Sequence, residues 1–134
     1  TSSDRVRLYF NGTQITAFDT ESQPSQNFDT AFGINSTVMY IGDSNGSTSF
    51  DGLLAETIFT DGQSYAPTEF GESVNNIWIP KNFSGSYGYN GFRLTYSNAS
   101  SIGADSSGNG NDFTASGLTS DHITIDTPTN GVGS

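Results

Sequence analysis

Between Arg5 and Phe10 the chain alternates: Val6, Leu8 and Phe10 share one parity, Arg5, Arg7 and Tyr9 the other. A period of two is the signature of a half-buried β-strand, because successive side chains point to opposite faces. Asn11-Gly12 follows, and both residues accept the positive φ of a type I′ turn. Ile15 and Ala17 then alternate with Gln14 and Thr16, so this stretch predicts a β-hairpin.

The same reading gives strands at residues 38–42 (VMYIG) and 50–62 (FDGLLAETIFTDG), the second ending on an Asp-Gly turn. A short apolar segment at 76–80 (NIWIP) closes on Pro80. Residues 91–97 alternate Phe92, Leu94 and Tyr96 with Arg93 and Thr95, giving another strand. Shorter strands are expected at 112–117 and 122–126. The polar stretches at 19–35, 43–49 and 104–112 read as loops, the first carrying Pro24 with scattered Phe28 and Phe32. The tail at 128–134 has nothing to bury and is expected to extend or fray. One helical piece is expected at 67–70, with Pro67 in its first turn, Glu69 at its positive end and Gly71 stopping it. Short strands between turn signals predict an antiparallel β-sandwich. Its inner faces should include Val6, Leu8, Phe10, Ile41, Leu54, Phe59, Trp78 and Leu94.

Composition sharpens this picture. A chain of 134 residues suits one domain, and with a hydrophobic fraction of 32% its core must draw on the 10 Phe, 6 Tyr and 1 Trp. Only 13% of residues are charged, 14 acidic against 4 basic, for a net charge of −10. An acidic surface repels phosphate backbones and lacks the basic face that anionic membranes attract, which argues against nucleic-acid and membrane partners. It suits solubility in salty surroundings, or cation binding. There is no Cys, so neither a disulfide framework nor thiolate chemistry enters. No stretch approaches the ~20 apolar residues of a membrane helix, and none reads as a signal peptide. A chain beginning at Thr1 reads as a processed product or an excerpt of something longer.

Three kinds of chemistry merit weighing. Calcium needs six to eight oxygen ligands, and Asp105, Asn109, Asn111 and Asp112 share one Gly-rich loop that could wrap an ion. The plainer reading is that these side chains make turns while Gly108 and Gly110 supply positive φ. The run Asp43, Ser44, Asn45, Gly46 is a weaker second candidate. A sugar site would stack a ring on a pyranose face among amide groups, for which Tyr87, Tyr89 and Asn90, or Tyr65 beside Gln63, would serve. The plainer reading has these rings sealing the ends of the sandwich. Paired carboxylates are sparse: Asp51 with Glu56, and Asp19 with Glu21, do not supply an acid and base facing one cleft. The single His122 stands near a terminus and reads as a surface residue. Asn-x-Ser/Thr sequons at Asn11, Asn35, Asn45, Asn82 and Asn98 arise readily in so Ser/Thr/Asn-rich a chain and carry little weight.

The order RLYFNG, YIG, polar loop, FDGLLAETIFTDG, YAPTEFGE resembles the closing half of laminin-G-like domains in the concanavalin A-like superfamily. Ala55 departs from that pattern, which usually has Asp there, while Glu56 is kept. The string GFRLTYSNASSIGADSSGNGNDFTASG resembles the opening strands of such a domain, with its "DsSGNgN" loop. The resemblance therefore implies closing-type strands in residues 1–80. Residues 81–134 would hold a linker plus opening-type strands that complete or follow the sandwich. It implies an antiparallel jelly roll. The superfamily's glucanases carry an E-x-D-x-x-E string, which is absent here, so no enzyme is expected. Residues 79–130 are also similar to a linker-plus-module of virion proteins in marine tailed phages. That similarity implies a non-enzymatic fibre or capsid decoration at a virion surface. Its partners would be other virion proteins or further copies of itself, with a host-surface glycan as a further partner. The competing expectation is a carbohydrate-binding or adhesive domain of a bacterial extracellular protein.

Overall fold

The fold was obtained as a computed structural model describing residues 5–30, 32, 37–44 and 48–124. Among these residues the regular structure is all β, with two single 3₁₀ turns and no α-helix. Among the described residues no helix is long and apolar enough to cross a membrane. Six strands form three antiparallel pairs: β1 (Leu8–Phe10) with β2 (Thr13–Ile15), β3 (Thr57–Phe59) with β6 (Phe92–Leu94), and β4 (Gly71–Val74) with β5 (Ile77–Pro80). Backbone proximity divides the chain into two compact units, each discontinuous in sequence. One takes Thr1–Ala31 and Tyr65–Ser84, the other Phe32–Ser64 and Gly85–Ser134.

In the first unit, the β1–β2 hairpin turns at Asn11 (φ 47°) and Gly12 (φ 75°), the positive pair that a type I′ turn requires. Leu8 lies opposite Ile15 and Phe10 opposite Thr13. The β4–β5 hairpin turns the same way, at Asn75 (φ 51°) and Asn76 (φ 65°), with Val74 opposite Ile77. The indole of Trp78 covers both hairpins. A Cβ placed on Gly71 would stand 2.6 Å from its Cε2, and one on Gly12 2.6 Å from its Cε3. Only a residue without a side chain allows this approach at either position. Tyr65, Phe70 and Phe83 form the unit's aromatic cluster: Phe70 and Phe83 stack at 5.0 Å, and Tyr65 meets Phe83 edge-on at 5.0 Å. The Gln23 carboxamide brackets Val6, accepting from its N–H at 2.9 Å and donating to its carbonyl at 3.2 Å.

In the second unit, β3 and β6 pair with Thr57 opposite Leu94 and Phe59 opposite Phe92. Phe92 stacks with Phe59 at 5.5 Å and meets Phe113 at 4.8 Å. Phe92 and Leu94 are buried, with Arg93 between them turned to Glu56.

Several expectations are corrected. Residues 38–42 and 112–117 form no strand, and of 50–62 only Thr57–Phe59 does. Outside β3, among the described residues, these segments make isolated backbone bonds, among them Phe50 N–H to the Gly42 carbonyl and Phe113 N–H to the Gly103 carbonyl, and no continuous ladder. The apolar parity of β1 is not a buried face: Val6, Leu8 and Phe10 are 54%, 52% and 70% exposed, and Leu54 is exposed as well. A two-residue period states which side chains share a face but not what covers it. Ile41, Phe59 and Trp78 are half-buried and Leu94 fully buried. The helical piece is a 3₁₀ turn, Pro67–Glu69. His122 ends a second 3₁₀ turn, Ser120–His122, where a strand was expected. The remainder of that expected strand at 125–126, the tail at 128–134, Asn45 and Gly46 of the second calcium candidate, and the sequon at Asn35 lie outside the described residues.

The Asn75-Asn76 turn yields a prediction. Asn76→Gly should leave stability unchanged or raise it by about 0.5 kcal/mol, because Gly is the preferred second residue of this turn. Asn76→Val should cost about 1–2 kcal/mol, since a β-branched residue is strained at positive φ. Urea denaturation midpoints of the two variants check the sign of each.

Candidate functional site

The loop after β6 returns to lie along it. Asp105 bridges to Leu94, and the Ser106 N–H donates to the Arg93 carbonyl at 2.7 Å. This brings the Asp105 carboxylate against the strand. Its Oδ1 accepts the backbone N–H of Arg93 at 2.9 Å and of Ser107 at 2.8 Å. Its Oδ2 accepts the Ser107 hydroxyl at 2.8 Å and the Asn111 N–H at 3.0 Å. Asp112 Oδ1 in turn accepts the Asp105 N–H at 2.8 Å. Gly108 (φ 93°) and Gly110 (φ 75°) supply the left-handed turns that let the loop close.

Two amides of the same loop then fasten a second loop, residues 85–91. Asn109 Nδ2 donates to the carbonyls of Gly88 at 2.7 Å and Gly91 at 2.8 Å. Asn111 Nδ2 donates to those of Tyr89 at 3.2 Å and Gly91 at 2.9 Å. From the end of β3, Asp61 Oδ2 accepts both the N–H and the side-chain amide of Asn90, at 3.2 and 2.9 Å. The Asp61 N–H donates to the Tyr87 carbonyl at 2.8 Å. A Cβ on Gly91 would collide with the Tyr87 carbonyl, so the loop can fold this tightly only with glycine there. At its tip the Tyr89 side chain is 89% exposed.

Burial tends to raise the pKa of Asp105, but the hydrogen bonds from Arg93, Ser107 and Asn111 outweigh it and hold the carboxyl below its ordinary value. Beside it, burial tends to lower the pKa of Arg93, while the Glu56 carboxylate and Tyr87 raise it further, and the net direction is up. Glu56 and Arg93 form an ion pair across the β3–β6 edge. The hydroxyls of Tyr96 and Thr57 share a 2.6 Å hydrogen bond, and burial raises the Tyr96 phenol against that bond's opposing effect. Tyr96 sits at φ 54°, a left-handed conformation in which an aromatic residue is strained.

The four calcium candidates, Asp105, Asn109, Asn111 and Asp112, do come together in one loop. Much of their hydrogen bonding is to the protein itself: Asp105 accepts from four donors, Asp112 Oδ1 accepts a backbone N–H, and both Asn side-chain N–H groups donate to backbone carbonyls. A cation entering here would displace those donors from Asp105. Among the described residues no group of three or more His, Cys, Asp or Glu is placed to hold a metal ion. Of the sugar candidates, Tyr87, Tyr89 and Asn90 lie in the fastened loop, whereas Tyr65 packs against Phe70 and Phe83.

The carboxylate pairs do not assemble. Glu56 is paired with Arg93 while Asp51 is exposed, and Glu21 accepts from the Gln23 amide at 2.7 Å. His122 Nδ1 accepts the Thr119 N–H at 3.0 Å, a local cap. A cavity of about 300 Å³ between residues 99–103 and 113–119 has no titratable side chain in its lining. Sequence reasoning did not anticipate the fastening of residues 88–91 by Asp61, Asn109 and Asn111. The Asx-Gly pairs at 61–62, 90–91, 109–110 and the Asx at 111 were visible signals for turns, but not for which backbone each amide would reach.

No family model, curated protein or solved structure matches the chain. The class defined by the fold is thus the coarse one: among the described residues, an all-β chain built on antiparallel strand pairs.

Replacing Asp105 by Asn removes the charge and puts N–H groups opposite N–H donors. Asp105→Asn should cost about 2–3 kcal/mol at neutral pH. Because the folded-state pKa is depressed, the native contribution is present above the unfolded value near ~3.9. It is lost as pH falls through the folded value. Urea titrations from neutral pH down to pH 2 should therefore show an acid-side loss of stability that the variant lacks in part.

Proposed function

We propose that this chain is a non-catalytic surface component of a virus particle, a fibre or capsid decoration, that presents an adhesive loop. The observation that carries this reading is the imbalance of apolar surface. Among the described residues only Phe83, Phe92 and Leu94 are buried hydrophobics, whereas Phe10, Phe28, Phe32, Val38, Leu53 and Ile77 are each at least 60% exposed. Exposed apolar surface of this kind marks contact with further protein. Assembly components cover such surface against neighbours, and obligate interfaces are the more apolar ones. In the same reading the finer architecture is a jelly-roll sandwich of laminin-G-like type, in which the open edges of the three strand pairs meet additional strands.

The absence of a convergent acid and base in the described residues supports the non-catalytic part. The low basic content, with Arg93 already paired to Glu56, supports protein or glycan partners over nucleic acid. Repetition around a particle would multiply weak contacts through effective concentration. A second reading, an adhesive or carbohydrate-binding domain of a bacterial extracellular protein, is favoured by one observation, the exposed Tyr89 on a fastened loop. The two readings share that loop and differ in what the apolar hairpins meet.

Antibodies raised against the chain, applied to intact particles of the phage that encodes it, should label the particle exterior. Label found only on bacterial surfaces would replace the first reading by the second. Turnover of a polysaccharide by the purified chain would overturn the non-catalytic assignment.

A further inference from the structure

The geometry points to Tyr89 as the stacking platform of a glycan site selective for neutral hexopyranosides; this inference rests on the adhesive reading above. The segment carrying Tyr89 is held from several directions. The carbonyls of Gly88, Tyr89 and Gly91 accept from Asn109 and Asn111, and the Asn90 N–H and amide donate to Asp61. None of these bonds uses the phenol ring, which is left 89% exposed at the tip. A flexible loop with an exposed tyrosine loses entropy on binding anything. A tip whose backbone is already fixed loses little, and Tyr itself has only two side-chain torsions to order.

The surroundings of the ring select the partner's chemistry. In residues 85–91 and 105–112 Tyr89 is the single exposed large hydrophobic. The other exposed residues of these two segments include Ser86, Asn90, Gly108, Asn109 and Gly110. A protein hot spot sits among further apolar side chains ringed by polar ones. One ring among amides and hydroxyls instead matches a pyranose, which offers one apolar C–H face and a rim of hydroxyls. Charge narrows the class. Asp61, Asp105 and Asp112 lie in the segments that build the tip, and the chain carries −10 overall. Sialylated and sulfated glycans are repelled, which favours neutral hexoses over acidic ones.

The test uses the full chain on a printed array of neutral, sialylated and sulfated glycans, with thermal melting as a folding control. Wild type should bind neutral hexose glycans. Tyr89→Ala should lower that signal about tenfold or more with an unchanged melting temperature, because an exposed ring contributes little to the fold. Tyr89→Trp should retain it. If wild type binds neutral glycans and Tyr89→Ala binds equally well, the proposed site is wrong while the adhesive reading survives. Preference for acidic glycans overturns the charge argument and the proposal with it. No glycan signal from wild type overturns both site and adhesive reading. If in addition sedimentation shows self-association lost in Tyr89→Ala, the ring is a protein contact instead.

Discussion

One carboxylate organises the second unit. Asp105 accepts four hydrogen bonds, from Arg93, from Asn111 and two from Ser107, and three of those donors are backbone N–H groups. A buried or half-buried backbone donor left without an acceptor costs as much as a lost hydrogen bond. A single ionised side chain here resolves that cost at three positions at once. Because an ionised acceptor makes stronger bonds than a neutral one, the arrangement is also the most favourable single side chain for the task. Its dependence on the charged form follows directly.

Everything at the tip depends on that closure. With residues 105–112 folded on Asp105, the amides of Asn109 and Asn111 come within reach of the carbonyls of residues 88, 89 and 91. Asp61, at the end of β3, completes the set from the opposite strand. The chain thus fixes a loop with side-chain amides and carboxylates in place of a layer of hydrophobic contacts. In a sequence with 13% charged residues and abundant Asn, Ser and Gly, this is the physical means available. The unit's apolar side chains, Phe59, Phe92, Leu94 and Phe113, support the strand pair from which the loops spring.

The sequence made some of this legible and left the rest open for definite reasons. Asn11-Gly12 announced its hairpin because the turn requirement is local: two residues at positive φ, and two residues that tolerate it. Asn75-Asn76 meets the same requirement and was readable in principle, but without Gly it lacked the stronger half of the signal. The Leu94 core position followed from alternation, yet the same alternation in Val6, Leu8 and Phe10 marks an exposed face. Parity is intrinsic to a strand, whereas burial depends on a partner that no local pattern names. Residues 105–112 were legible as a turn-rich loop. That Asp105 would turn inward to Arg93, and Asn109 and Asn111 across to residues 88–91, depends on contacts 12 to 22 positions apart. The calcium expectation rests on the same residue types, since oxygen-rich loops that bind ions and loops that bind their own backbone draw on one vocabulary.

The account stands or falls with the amide hydrogens of Arg93, Ser107 and Asn111. Measured by NMR hydrogen exchange near pH 6, all three should be strongly protected, and Asp105→Asn should release them as a group. Exchange of these three amides at the rate of an unstructured chain in the wild-type protein would contradict it.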